Sequence, residues 1–265
     1  IAWYARRRTD MAGRLTDKAA IVTGGASGFG AGIVDCFARE GARVLVADLN
    51  EAGGRAKCEA VAAAGGTALY QQVDVTDAAQ VEALVAACRE AFGAVDVLVA
   101  NAGLGQRPCP LEETSEESFD LQFAVNVRGV FYCCKAVLPH FRRQGSGNIV
   151  ITASGIALTP RPNLVVYGAT KGAVVTFAKG LAMELAPEGF RVNALCPAAG
   201  DTPMLAEFMG GAETAEGRER FTSGLPMGKL ITPEDMGNAA VFLASDLEAG
   251  TITGCALPVD SGRCI

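Results

Sequence analysis

The stretch Ala19-Ala20-Ile21-Val22-Thr23-Gly24-Gly25-Ala26-Ser27-Gly28-Phe29-Gly30 joins a short apolar run to a glycine-rich turn, and Gly28 to Glu40 then reads as a helix. The glycines at 24, 28 and 30 are spaced GxxxGxG, not GxGxxG as in the commonest dinucleotide fingerprint. The physics is shared. Glycines permit a tight turn and let a pyrophosphate approach backbone N–H groups at a helix N-terminus. A loop of this kind between a strand and a helix predicts a dinucleotide site. Asp48, 20 residues after Gly28, ends the next apolar run, Arg43 to Ala47. A carboxylate there accepts hydrogen bonds from adenosine ribose hydroxyls and repels a 2′-phosphate. No Arg or Lys lies in the loop, and Leu49 follows Asp48, so the expected cofactor is NAD, not NADP.

The alternation continues along the chain. Further strands are expected at Ala68 to Val73, Asp96 to Ala100, Asn148 to Thr152 and Arg191 to Cys196, and a seventh at Leu257 to Val259, where Pro258 argues for an edge. Between them, Glu51 to Ala64, Asp77 to Phe92 and one long region from Ser115 to Phe141 read as helices. Strands alternating with helices imply βαβ units. Right-handed crossovers then give an α/β, doubly wound, Rossmann-like domain, its parallel sheet of about seven strands covered by helices on both faces. One such domain is expected over 13–265. Residues 1–12, which precede or include Met11, are expected to be a disordered extension. Residues 201–230, rich in Gly and charge, are expected to form a substrate flap.

Composition narrows the chemistry. The 265 residues carry 23 Lys and Arg against 29 Asp and Glu, a net charge of −6, so neither nucleic acid nor an anionic membrane is the expected partner. No apolar run reaches the length of a membrane-spanning helix. The single histidine, His140, reads as a helix-end residue, which leaves little room for a hydrolase triad, and no metal site is expected. Nine cysteines, an odd number without a CxxC pair, suit small buried thiols, with Cys133 and Cys134 adjacent in an apolar segment. No secretory signal is evident, and the expected location is cytoplasmic.

Tyr167 and Lys171 stand four residues apart and share a face if the segment is helical. A free phenol titrates near 10, and a close ammonium favours the phenolate, so the pair is a candidate general acid/base. Ser154, 13 residues before Tyr167, ends the fifth strand; Asn101-Ala102-Gly103 ends the fourth; Asn126 interrupts an apolar helical stretch and needs buried partners. Gly24, Asp48, Asn101, Ser154 and Pro197 all fall at strand C-termini, where open parallel sheets bind ligands.

From Leu15 onward the chain resembles the short-chain dehydrogenase/reductase family, in the branch with subunits of about 250 residues. The resemblance rests on Thr23 to Gly30, Asp48, Asp74-Val75, Asn101 to Gly103, Asn126, Ser154, Tyr167, Lys171 and Pro197, in order and at family spacing. It implies a catalytic set of Asn126, Ser154, Tyr167 and Lys171. Tyr167 would exchange a proton with the substrate oxygen, Ser154 would hydrogen-bond that oxygen, and Lys171 would hold the nicotinamide ribose and tune Tyr167. Asn126 would anchor a water leading from Lys171 to solvent. The cofactor would lie against Gly24, Ser27, Gly28, Phe29, Gly30, Asp48, Leu49, Asp74, Val75, Asn101, Ala102, Gly103, Tyr167, Lys171, Pro197 and Thr202. Two departures from the family pattern are Ala198-Ala199-Gly200 after Pro197, which bears on Thr202, and Asp260-Ser261-Gly262 where a second glycine is usual.

The implied activity interconverts a secondary alcohol and a ketone with NAD(H). The alternatives are an NADPH-dependent 3-oxoacyl-thioester (acyl carrier protein) reductase and a non-catalytic nucleotide-binding sensor or interaction protein. The substrate pocket is expected from Leu104 to Arg107, Gly155 to Asn163 and the 201–230 flap, mostly apolar, with Gln106, Arg107, Arg161 and Asn163 as polar options. Leu121 to Phe141 and Val174 to Met183 are more apolar than one-sided helices need, so either the domain buries both faces or subunits pair there. The resemblance implies a homotetramer.

Overall fold

The structure, a computed structural model, describes residues 13–265. The expectation for residues 1–12 lies outside that range. Seven strands, β1 (Ala19–Thr23), β2 (Arg43–Asp48), β3 (Thr67–Gln72), β4 (Val97–Ala100), β5 (Asn148–Thr152), β6 (Arg191–Pro197) and β7 (Ala256–Val259), form one sheet in the order β3-β2-β1-β4-β5-β6-β7. Every pairing is parallel. β7 pairs with β6 alone, and Pro258 lies on this edge opposite Cys196, as its missing N–H requires.

The helices are α1 (Gly28–Arg39), α2 (Glu51–Ala63), α3 (Ala78–Phe92), α4 (Glu116–Phe123), α5 (Gly129–Gln144), α6 (Val165–Leu185), α7 (Leu205–Phe208), α8 (Ala215–Ser223), α9 (Pro233–Ala244) and α10 (Asp246–Ala249). The period of two along each strand divides the core. Ala19, Ile21, Leu98, Ile149 and Ile151 pack under α3, α5 and α6, whose Leu84, Val137 and Val174 are buried there. Ala20, Val22, Val99 and Val150 pack on the opposite face beneath α1 and α9, against Ile33, Phe37 and Met236. β1 and β5 are buried at every position, which is why they read as unbroken apolar runs.

Two features differ from the sequence reading. The long helix expected over Ser115 to Phe141 is broken: α4 passes into a π-helical turn at Ala124–Arg128, and α5 follows. The wider turn carries Asn126, whose bonds lie off the helix, as π-turns at functional sites commonly do. Helix α9 was not expected. Thr232, Pro233 and Asp235 nonetheless form a capping box with Pro at the first position, a signal present in the sequence. The α1–α9 crossing is close because Gly32 and Gly237 face each other. A Cβ on Gly237 would overlap Cys36 Sγ, and one on Gly32 would overlap the Pro233 carbonyl.

All nine cysteines are free, with Cys133 and Cys134 fully buried, where burial pushes the Cys133 thiol up to about 12. His140 lies within α5, its Nδ1 2.9 Å from the Arg143 guanidinium. Among the described residues no helix is long and apolar enough to cross a membrane. On the outer surface Phe119, Leu121, Phe131, Val165 and Met183 are exposed, whereas Val130, Val174 and Val175 turn into the core.

Candidate active site

The sheet order reverses direction between β1 and β4, and a cavity of about 570 Å3 opens beyond the strand C-termini there. Its walls include Gly24, Ser27, Gly28, Phe29, Gly30, Asp48, Leu49, Asp74, Val75, Asn101, Ala102, Gly103, Ser154, Tyr167, Lys171, Pro197 and Thr202. Of the catalytic and cofactor candidates, Asn126 does not line it.

The glycine-rich end is held by backbone. Gly24 and Gly28 have φ of +64° and +52°, values that favour glycine. A Cβ on Gly24 would sit 2.9 Å from Ala102 Cα, and one on Gly30 would overlap the Gly24 carbonyl oxygen. Asn101 braces the turn: its Nδ2 donates to the carbonyls of Thr23 and Gly24, and its Oδ1 accepts from the Thr152 hydroxyl. Helix α1 begins at this turn with no side-chain cap and no acidic residue in its first turn. Its first N–H groups therefore keep open donor capacity, which suits an anion. Thr202 lies opposite, 3.4 Å from where a Gly28 Cβ would be.

The Asp48 carboxylate has a local task. Oδ2 accepts from the Ala26 N–H at 3.0 Å and Oδ1 from the Asn50 N–H at 2.9 Å, so it ties the glycine loop to the end of β2. A carboxylate has about four acceptor positions, so Asp48, which lines the cavity, keeps acceptor capacity beyond these two bonds. Asp74 is tied similarly through Oδ1, which accepts from the N–H and hydroxyl of Thr76. These features fit a dinucleotide: uncapped donors at one end and carboxylate acceptors about one strand away.

At the other end Tyr167 and Lys171 project from α6, both buried. Gln106 fixes the start of that helix by accepting from the Tyr167 N–H at 2.9 Å. Gln106 is thus a buried brace, and the expectation that it lines the pocket is corrected. Gly105, Arg107 and Asn163 also lie off the lining; Leu104, Gly155, Ile156, Thr159 and Arg161 are on it. From the 201–230 segment, Thr202 to Leu205, Glu207, Phe208 and Phe221 contribute, and Met209 does not. Phe208 packs edge-on to the Tyr167 ring at 5.4 Å between centroids.

Burial dominates the titration of the pair. It pushes Tyr167 up to about 12, with the Ser154 hydroxyl acting in the opposite direction and the Glu207 charge adding to the rise. It pulls Lys171 down to about 8. The expectation that Lys171 lowers the Tyr167 pKa is therefore amended in this structure. Lys171 Nζ lies 5.8 Å from the phenol ring centroid and donates to the Thr152 carbonyl at 3.0 Å, and loss of hydration sets the direction of both shifts. The Ser154 hydroxyl accepts from the Ile156 N–H and makes a long contact, 3.5 Å, to the Pro197 carbonyl, besides facing the Tyr167 hydroxyl.

Asn126 is completely buried. Its Oδ1 accepts from the Leu104 N–H at 2.8 Å, and its Nδ2 donates to the Leu104 carbonyl and the Thr170 hydroxyl. It makes no direct bond to Lys171. The two approach a common space beside Gly103, where a Cβ would lie 3.1 Å from Asn126 Oδ1 and 3.4 Å from Lys171 Nζ.

Comparison with known proteins adds the following. Residues 24–263 match the family described as Enoyl-(Acyl carrier protein) reductase. The chain is 43% identical over 249 residues to 4-formylbenzenesulfonate dehydrogenase of Comamonas testosteroni, covering 94% of this chain and 98% of that protein. It is 42% identical over 252 residues to 2,5-dichloro-2,5-cyclohexadiene-1,4-diol dehydrogenase of Sphingobium indicum, covering 95% and 98%. Among solved structures, 3-ketoacyl-(acyl-carrier-protein) reductase from Brucella melitensis complexed with NADH superposes with a TM-score of 0.88 at 43% identity, over 95% of this chain and 100% of that one.

Proposed function

Since this chain belongs to the short-chain dehydrogenase/reductase family of oxidoreductases, we propose that it interconverts a secondary alcohol and a ketone with NAD(H). The observation that carries this reading is the convergence of Ser154, Tyr167 and Lys171 on a cavity continuous with the uncapped N-terminus of α1. The cofactor would be held by the donors of Gly28 to Gly30, by Asp48 and Asp74 at the adenosine end, and by Asn101 to Gly103, Pro197 and Thr202. Bound there, a nicotinamide supplies or accepts the hydride.

The residues of the chain supply position and the proton. Ser154 donates its hydroxyl hydrogen to the substrate oxygen. Tyr167, favoured as a neutral phenol by burial, gives its proton to that oxygen as a carbonyl is reduced; when an alcohol is oxidised it must first have lost that proton, and the phenolate then takes the proton of the alcohol. Oxidation therefore gains from rising pH. Lys171 keeps two N–H donors beyond its bond to Thr152, and these serve the ribose. The space beside Gly103 suits a water between Asn126 and Lys171 through which the proton reaches solvent.

NAD is preferred to NADP because Asp48 would repel a 2′-phosphate. The similarity to a 3-ketoacyl-(acyl-carrier-protein) reductase supports a second reading, reduction of a 3-oxoacyl thioester. The exposed Phe119, Leu121 and Phe131 support pairing of subunits into a homotetramer, checked by light scattering on the eluted protein.

The test is absorbance of the reduced nicotinamide over secondary alcohols, sugars and 3-hydroxyacyl thioesters, with NAD and with NADP, for wild type and Tyr167→Phe. The expected result is NADH formation lost by about 100-fold or more in the variant, with NADH binding kept. Turnover unaffected by the substitution would overturn the acid/base role. Preference for NADP with thioesters would favour the second reading.

A further inference from the structure

The cavity holds two arginines that the proton chemistry does not use. Arg161 comes from the loop between β5 and α6, and Arg263 from the segment after β7; both are half-buried and line the same walls as Ser154 and Tyr167. Among the described residues neither makes an ion pair, and both line the cavity. The acid nearest to Arg263 in sequence is turned away: Asp260 accepts from the Gly262 N–H through Oδ1 and from the Cys264 N–H through Oδ2.

The two segments are fastened together. Cys264 Sγ donates to the Gly155 carbonyl at 3.5 Å, which joins the residue after Arg263 to the loop that carries Arg161. Two like charges thus line one cavity, and burial, with the Arg263 charge second, lowers the Arg161 pKa. Two guanidiniums facing one cavity without a counter-charge are unfavourable, and an anion bound there lowers the cost. Planar guanidinium forks match the oxygens of a carboxylate or sulfonate. The Glu207 carboxylate, also on the lining, packs against Gly105 and pairs with neither arginine. The same lining carries the apolar Ile156, Leu164, Met204 and Phe208, suited to a ring.

We infer that Arg161 and Arg263 form an anion-reading subsite, so that the substrate is a ring-bearing alcohol or ketone carrying a carboxylate or sulfonate away from the reacting carbon. This rests on the assignment of Ser154 and Tyr167 as the reacting end. The phosphates of the cofactor are the other anionic source, and the experiment separates the two.

Wild type, Arg161→Gln, Arg263→Gln and the double variant, each saturated with NADH, are titrated calorimetrically with benzoate, benzenesulfonate and neutral benzamide. NADH affinity is measured separately, and kcat and KM are compared for 4-(1-hydroxyethyl)benzoate and 4-(1-hydroxyethyl)benzamide. Expected is benzoate binding at least about tenfold tighter than benzamide, lost by about tenfold per arginine, with NADH affinity within about twofold of wild type. The KM for the carboxylate should rise in the variants while that for the carboxamide stays, and Arg161→Lys should restore part of the loss. Equal binding of benzoate and benzamide, or binding indifferent to both substitutions, overturns the subsite. So does weaker NADH binding with an unchanged benzoate-to-benzamide ratio, which assigns the arginines to the cofactor. Arginine-dependent benzoate binding without turnover of any alcohol sustains the subsite and refutes the dehydrogenase reading instead.

Discussion

Replacing Lys171 by Met should stabilise the protein at neutral pH while abolishing activity. The ammonium is buried and its pKa falls from 10.5 to about 8. The folded state thus disfavours the charged form, and the unfolded chain binds the proton more tightly. By linkage, the penalty is fully present below pH 8 and disappears as pH rises from 8 towards 10.5. At 1.36 kcal/mol per unit it amounts to about 3 kcal/mol at pH 7 and about 1 kcal/mol at pH 10. Met matches the length of the side chain, so little cavity is left. The variant also deprives the Thr152 carbonyl of its donor, at a cost of about 1–3 kcal/mol that does not depend on pH. The net difference at pH 7 is therefore between zero and about 2 kcal/mol in favour of the variant. Its pH dependence isolates the charge. Urea unfolding of both proteins, without cofactor and at one protein concentration, should show the advantage of the variant falling by about 2 kcal/mol between pH 7 and pH 10. A difference that stays flat, or that grows with pH, would refute the argument that burial disfavours this ammonium.

Asp48→Ala should lower the preference for NAD over NADP by about tenfold or more; initial rates with both cofactors read it, and an unchanged ratio would reduce Asp48 to a brace for the Ala26 N–H. Gly30→Ala places a methyl on the Gly24 carbonyl and 2.5 Å from Asn101 Nδ2, so it should cost about 1–3 kcal/mol in thermal unfolding and weaken NADH binding, followed by fluorescence titration. Ser261 adopts φ of +51°, and its hydroxyl donates to the Lys229 carbonyl at 2.9 Å. Ser261→Ala loses the bond and keeps the backbone strain, whereas Ser261→Gly loses both, so the Gly variant should be about 1 kcal/mol the more stable in denaturant titrations.

The Ser261 position shows what a family pattern read along a chain leaves open. The missing glycine was visible, but that the turn persists, with a serine held in the left-handed region by a side-chain bond, depends on Lys229 lying across from it. The same holds for α9. Its capping box is local and readable, yet the helix matters because Gly237 meets Gly32 from a segment some 200 residues earlier. Asn126 was marked as a buried amide in need of partners, and the partners turned out to be the Leu104 backbone and Thr170.

The sequence by itself determined the seven strands, the parallel sheet and the residues at its C-terminal edge. These depend on short-range rules: apolar runs of strand length, glycines where φ must be positive, and a proline confined to an edge. It also named most of the side chains on the cavity's cofactor and proton-transfer walls, but not Thr76, Val125 or Thr152. Tertiary structure alone decided the ionisation of those groups, because burial is a sum over neighbours from the whole chain. It carried Tyr167 to about 12 where the sequence pointed downward. It alone, too, brought Arg161 and Arg263 to one wall, since a separation of 102 residues leaves no periodicity to read and only the packed sheet closes it.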